Sequence, residues 1–199
     1  MCSWRLLTLL IGLGSASCTE GTSTSPPAPA PATCHLRIEG ATIQYNGRML
    51  PLPGSLETWE TVLGPHSRRV EVADDVYVWD ELGIHAFARE PGTPLRGVFV
   101  LLKPRTNPDR PPPPYWPRGS FKGRLCVDGS ELTPTARISE VNRSKHGQKF
   151  SKGYLDTIYS YDLPPPVALY VRLDLTEDSK LESFSISLTD EANRQDAPR

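Results

Sequence analysis

Val76-Tyr77-Val78-Trp79-Asp80 and, 82 positions further on, Ile158-Tyr159-Ser160-Tyr161-Asp162 read as one short phrase written twice. The same step carries Asn46-Gly47-Arg48-Met49-Leu50 onto Asp128-Gly129-Ser130-Glu131-Leu132, Asp74 onto Asp156, Leu56 onto Ile138 and Trp59 onto Val141. These separate matches at one offset read as an internal duplication, so the fold is sought first in the repeated unit.

The first copy has a clear grammar. Ala41–Tyr45 alternates, with Ile43 and Tyr45 on one face, and Asn46-Gly47 supplies the pair of positive φ angles of a type I′ hairpin turn. Met49–Leu52 returns as a second strand. Ser55 caps a helix over Leu56–Leu63, with Leu56, Trp59, Val62 and Leu63 on one face, and Gly64-Pro65 ends it. Strands follow at Val76–Trp79, Ile84–Ala88 and Val98–Leu102. The second copy runs Arg124–Val127, a turn at Asp128-Gly129, Leu132, and a helix near Thr135–Arg143. Its later strands are Thr157–Asp162, Val167–Leu175 and Leu181–Leu188, the last alternating Phe184, Ile186 and Leu188 with serines. The expectation is an α+β protein of tandem ββαβββ repeats, each a short helix packed on an antiparallel sheet.

Proline marks the boundaries. Of 21 prolines in 199 residues, four fall in Pro26–Pro31, seven in Pro104–Pro117 and three in Pro164–Pro166. The chain divides into a signal at 1–17, a Ser/Thr/Pro-rich tether at 18–33 and a first repeat at 34–102. A connector at 103–118, a degenerate second repeat at 119–190 and a polar tail at 191–199 complete it. Four consecutive prolines, Pro111–Pro114, stiffen the connector into a polyproline II strap. Tyr115 and Trp116 beside them serve either to pack the strap on the body or to anchor a partner.

The N-terminus, MCSWRLLTLLIGLGSASC, has one early cation at Arg5, an apolar run Leu6–Leu13 and small residues up to Cys18. An apolar core eight residues long is too short for a bilayer span, which needs about 20, so the segment reads as a cleavable export signal. Ala16-Ser17-Cys18 resembles a bacterial lipoprotein lipobox, which implies lipidation of Cys18; Ser15 stands where that pattern has an aliphatic residue, and ordinary cleavage after Ser17 is the rival. With Cys2 in the signal and Cys18 lipidated, Cys34 and Cys126 remain as an even pair, to be disulfide-bonded or left as buried thiols. A net charge of −1 gives no attraction to nucleic acid, and none is expected as a partner.

The search for chemistry centres on Asp80. Asp80, Glu81 and His85 together are the residues a hydrolase or cation-binding site would use. Adjacent residues in a strand point apart, however, and an aspartate opening a turn bonds backbone amides, with Gly83 supplying the permissive backbone. None of His35, His66, His85 and His146 has metal-ligand spacing, and His85 is expected on a strand's wet face. Arg68-Arg69 and Arg143, Lys145 and Lys149 read as cations near helix ends. No nucleophile or phosphate-loop motif occurs, so no metal and no cofactor is expected.

Residues 40–102 resemble a domain-of-unknown-function family of bacterial envelope proteins, through Trp59-Glu60-Thr61-Val62-Leu63-Gly64 as W-x-x-V-L-G and Tyr77-Val78-Trp79-Asp80-Glu81-Leu82-Gly83-Ile84 as Y-x-W-D-x-L-G-I. In the second copy the Trp-Asp pair survives as Tyr161-Asp162 and prolines replace Leu-Gly-Ile. A more distant similarity, to modules of outer-membrane assembly lipoproteins and tandem-repeat β-lactamase inhibitory proteins, implies binding without chemistry. The expectation is an exported lipoprotein of the cell envelope, anchored through its N-terminal lipid at the outer membrane and facing the periplasm, or else secreted. It would act as a non-enzymatic binding or inhibitory module for an unknown protein partner, with Tyr77, Trp79, Asp80, Glu81, Tyr115 and Trp116 as candidate contacts. The competing classes are the Asp80/Glu81/His85 hydrolase or cation binder and a structural envelope-assembly protein.

Overall fold

Thirteen strands and two short helices appear in the computed structural model, which describes residues 33–104, 111–165 and 168–189. Residues 1–32, on which the expected export signal, Cys18 and most of the expected tether fall, residues 105–110, Pro166-Val167 and residues 190–199 lie outside the described residues. The strands are β1 (Leu36–Glu39), β2 (Thr42–Tyr45), β3 (Arg48–Met49), β4 (Arg68–Glu71), β5 (Asp75–Trp79), β6 (Ile84–Ala88) and β7 (Gly97–Leu101). They continue as β8 (Leu125–Val127), β9 (Ser130–Leu132), β10 (Ser151–Lys152), β11 (Ile158–Leu163), β12 (Leu169–Leu175) and β13 (Leu181–Leu188). The helices are α1 (Leu56–Leu63) and α2 (Ile138–Ser144).

Local signals are honoured. Ser55 caps α1, its hydroxyl accepting from the Thr58 amide at 3.2 Å, and Gly64 ends the helix with φ 84°. Asn46 and Gly47 have φ 49° and 78°, and Asp128 and Gly129 have φ 45° and 82°, so both hairpin turns take the positive angles their sequences invite.

The tandem α+β arrangement is overturned. The strands form two sheets, one in the order β3-β2-β1-β8-β9 and one in the order β10-β11-β12-β13-β7-β6-β5-β4, and each mixes strands from before and after the connector. β1, which the pattern did not mark as a strand, pairs antiparallel with β2 and parallel with β8. β7 pairs antiparallel with β13, from Val98 against Ile186 to Leu101 against Ser183. The reason lies in β7 itself. Gly97-Val98-Phe99-Val100-Leu101 is buried throughout, and in a sheet made only of the first segment it would have been an exposed apolar edge. Joining β7 to β13 removes both edges. The helices are too short to cover a sheet: α1 buries only Trp59 and α2 only Val141. The core therefore holds inward residues of both sheets, among them Ile38, Ile43, Val127, Val100, Val171 and Phe184, with Trp59 beside them.

Cys34 and Cys126 are disulfide-bonded, with Cα atoms 6.0 Å apart. The bond fixes the chain just before β1 to the middle of β8, alongside the parallel β1–β8 pairing.

Candidate functional site

The two faces of β5 do different work. Trp79 donates its indole N–H to the Gly64 carbonyl at 2.7 Å, and its ring lies 6.4 Å from that of Trp59. His66 stands edge-on to Tyr77 at 5.3 Å and holds Glu60 at 2.7 Å. Tyr77 and Trp79 are thus spent on seating α1, and both are buried. In the neighbouring register, Val78 opposes His85 and His85 opposes Phe99, which aligns three side chains across β5, β6 and β7.

The connector lies over this second row. His85 stacks on Phe99 at 4.5 Å, Tyr115 meets His85 edge-on at 5.7 Å, and Trp116 packs on Phe99 at 5.2 Å. Tyr115 and Trp116 are half-buried by these contacts. His85 is therefore not on a wet face but buried under the strap, and its Nδ1 has no hydrogen-bond partner among the described residues. Burial pushes its pKa down to about 3; the Arg68 charge adds to that shift, while the hydrogen bond to the Tyr115 backbone opposes it.

Asp80 is the clasp. It ends β5, opens a single 3₁₀ turn at Asp80–Leu82, and accepts from Arg68 Nε at 3.0 Å and Nη2 at 3.1 Å. Arg68 in turn donates to the Pro114 carbonyl at 2.6 Å and the Trp116 carbonyl at 2.7 Å. The Arg118 amide donates to Asp80 Oδ1 at 2.9 Å, and the Gly119 amide to the Asp80 carbonyl at 3.2 Å. Burial, the largest influence on the Asp80 carboxyl, raises its pKa, but the hydrogen bonds and charges of Arg68 and Arg118 outweigh it and hold the group below its ordinary 3.8. Gly83 follows with φ 67°, where a Cβ would stand 2.2 Å from the Phe121 amide nitrogen. That approach gives the Leu-Gly-Ile phrase its physical reason.

The candidate residues thus split. Asp80 is buried, Glu81 is exposed, and His85 lies beneath the strap. Among the described residues no group of three or more His, Cys, Asp and Glu stands close enough to hold a metal ion. A cavity of about 450 Å³ opens elsewhere, between Pro53, Thr93, Arg96 and Leu188, and none of Asp80, Glu81 and His85 lines it. Tyr77 and Trp79, two of the candidate partner contacts, are buried because they complete the core around α1.

Two predictions follow from the strap. Arg68→Ala is expected to cost about 2–3 kcal/mol and to abolish amide-exchange protection at Arg118 and Gly119; Arg68→Lys should not rescue it, because an ammonium cannot span the carboxylate and two carbonyls as the guanidinium fork does. Unchanged protection in Arg68→Ala would refute the clasp. His85 is neutral when buried, so below its ordinary 6.5 the unfolded chain takes up a proton that the folded chain refuses until about pH 3. Stability should therefore fall as pH drops through that window. Denaturant midpoints measured from pH 7 to pH 4 should show a flatter profile for His85→Asn than for the natural chain.

A second cluster escaped the sequence reading. Lys145, fully buried, donates to Asp128 Oδ2 at 2.5 Å, to the Gln148 carbonyl at 2.5 Å and to the His146 carbonyl at 3.2 Å, with its Nζ 4.1 Å from the Tyr161 ring centre. The Tyr161 hydroxyl donates to the same Asp128 oxygen at 3.1 Å, and the Gly40 amide donates to Oδ1 at 2.7 Å. Burial above all, then the Asp128 charge and hydrogen bond, push the Tyr161 hydroxyl far up, so it stays a donor. The group ties the β8–β9 turn, the end of α2 and β11 together, joining the two sheets. One signal was available: Lys145 lies four residues beyond Val141, the residue that α2 buries, and so on the same face.

These features define a two-sheet β protein with a disulfide-stapled entry and a proline strap clasped over one sheet. The chain belongs to the family described as Domain of unknown function (DUF7738), whose model matches residues 35–142, a span that contains both the Trp59–Gly64 and Tyr77–Ile84 phrases. No curated protein matches it. Among solved structures it is similar to a cysteine-rich secretory protein from Staphylococcus aureus subsp. aureus Mu50, at 10% identity and a TM-score of 0.36 over 69% of this chain. The chain spans 44% of that structure's length, and a likeness of this size carries no functional argument.

Proposed function

We propose that the protein is an exported, lipid-anchored binding module of the bacterial cell envelope that acts on a protein partner without catalysing a reaction. One observation carries the reading: Asp80 and His85, two of the three groups best suited to chemistry, are taken up by Arg68 and the chain's own strap. Both Asp80 carboxylate oxygens are taken by Arg68 and the Arg118 amide, and Arg68 holds two strap carbonyls while His85 packs beneath Tyr115. The lipobox-like Ala16-Ser17-Cys18 and the proline-rich tether support display at a membrane surface. The test has two arms. Cys18→Ala is expected to release the chain from the membrane fraction. The immobilised chain is expected to retain an envelope protein in a saturable manner, displaced by excess free chain; failure to find any saturable partner would overturn the reading.

A further inference from the structure

Among the described residues, the two sheets end on four strands that have a neighbour on one side only: β3 and β9 in the smaller sheet, β10 and β4 in the larger. β3 and β10 are two residues long and β9 is three, so they offer little length to another strand. β4, Arg68-Arg69-Val70-Glu71, is the longest of the four, and Val72 directly after it is 46% exposed.

The pairing with β5 shows which backbone groups of β4 face outward. Arg68 opposes Val78, Val70 opposes Val76 and Glu71 opposes Asp75. The Val72 amide donates to the Asp74 carbonyl at 3.1 Å, so Glu71 and Asp75 form a pair without mutual bonds, flanked by residues that do bond across. By the alternation of an antiparallel ladder, Arg68, Val70 and Val72 turn their N–H and C=O groups toward β5, and Arg69 and Glu71 turn theirs toward the open side. Among the described residues no hydrogen bond reaches those four outward groups.

A second copy of the same strand fits this edge in one register. Outward residues must oppose outward residues, which leaves three antiparallel registers near the middle of the strand. Two of them set Arg69 against the second copy's Arg69 or Glu71 against its Glu71, and like charges directly opposite are unfavourable. The third places a twofold axis at Val70. Each Arg69 then faces the second copy's Glu71, the outward groups close four N–H···O bonds, and the two Val70 side chains meet at the axis. The side chains are ready for it: Arg69 is held by Asp75 at 2.5 Å, while the Glu71 side chain is 81% exposed and 3.7 Å from Arg69 of its own chain. Charges on an edge strand ordinarily guard it against pairing. Here their order guards the shifted registers and leaves the centred one complementary.

We propose that β4 is a self-association edge, through which two copies of this chain pair antiparallel about Val70 and join their eight-stranded sheets into one. The inference goes beyond the binding-module reading and is independent of any other partner. An unrelated extended segment is the poorer occupant, because it must present a glutamate and an arginine two residues apart in the opposite order, which a second copy does by symmetry. A contact of this size makes a reversible dimer that forms as concentration rises.

The test follows sedimentation of the full chain at increasing concentration, where the natural chain is expected to pass from monomer to dimer. Glu71→Arg, which sets arginine against arginine on both sides of the axis, should weaken self-association about tenfold or more, and so should Arg69→Glu. An equimolar mixture of the two variants should dimerise again, because each supplies the charges the other lacks. Val70→Cys leaves both charges in place: under oxidised glutathione it should link into a covalent dimer across the axis. Val72→Cys, which would lie opposite the second copy's Arg68, should link no faster than the natural chain. If a melting curve shows that a charge variant has lost its fold, the comparison of Val70→Cys with Val72→Cys decides alone. A chain that stays monomeric and gives no Val70→Cys link would overturn the proposal. So would a dimer that Glu71→Arg leaves intact, or one that Val72→Cys links as readily as Val70→Cys.

Discussion

Lys145→Met is expected to cost about 3–5 kcal/mol and to lower the melting temperature by roughly 10 °C or more. The lysine ammonium answers the Asp128 carboxylate and two backbone carbonyls in a place with no access to water. Methionine fills the volume but leaves the carboxylate with only the Tyr161 hydroxyl and the Gly40 amide, and strands the carbonyls of His146 and Gln148. An uncompensated buried charge is more damaging than the loss of the pair itself. The double variant Lys145→Met/Asp128→Asn should therefore recover part of the loss, which a thermodynamic cycle will show. A single variant within about 1 kcal/mol of the natural chain would refute the account of Lys145 as an internal counter-ion.

Breaking the disulfide is expected to be comparably severe. Cys34 and Cys126 are 92 positions apart, and closing a loop of that length restricts the unfolded chain by about 4–5 kcal/mol in the chain-entropy model. Cys34→Ser/Cys126→Ser should melt at the same reduced temperature as the natural chain treated with a thiol reductant. If thiol titration shows both cysteines freed while the melting curve stays in place, the prediction fails. The two effects should not add. Cys126 lies within β8 and Asp128 immediately follows it, so both devices hold the same three-residue strand, and the loss of one weakens what the other retains.

Much of the local structure was legible in the residues. Leu56–Leu63 forms the helix its spacing predicts, with Ser55 and Gly64 at its ends, because capping and termination depend on neighbours in sequence. Ile84–Ala88 and Leu181–Leu188 are strands with the expected bounds, and both hairpin turns take positive φ where Asn-Gly and Asp-Gly stand. The matches 82 residues apart marked like local geometry, and their extension into two self-contained helix-on-sheet units went beyond what local pattern can carry. β1 was missed because four residues, Leu36-Arg37-Ile38-Glu39, give too short an alternation to stand out beside Cys34-His35.

The site divides the same way. That Asp80 opens a turn could be read from its place before Leu82-Gly83, because turn formation is set by a handful of adjacent atoms, but its carboxylate bonds the Arg68 side chain and the distant Arg118 amide rather than amides of that turn. That Arg68 would hold it, that Pro114 and Trp116 would be fastened by the same guanidinium, and that His85 would be covered by Tyr115 depended on where the connector crosses the sheet. Sequence by itself determined the turns, caps, strand-forming runs and the even cysteine pair, all of which rest on short-range sterics or on counting. Tertiary structure alone decided which strand edges meet, that Cys34 and Cys126 bond, that Lys145 is buried rather than solvated, and that Tyr154 and Leu155 are left in water. Those outcomes turn on hydrogen-bonding edges and apolar surface finding partners far along the chain, and one-dimensional periodicity holds no record of which partner is nearest.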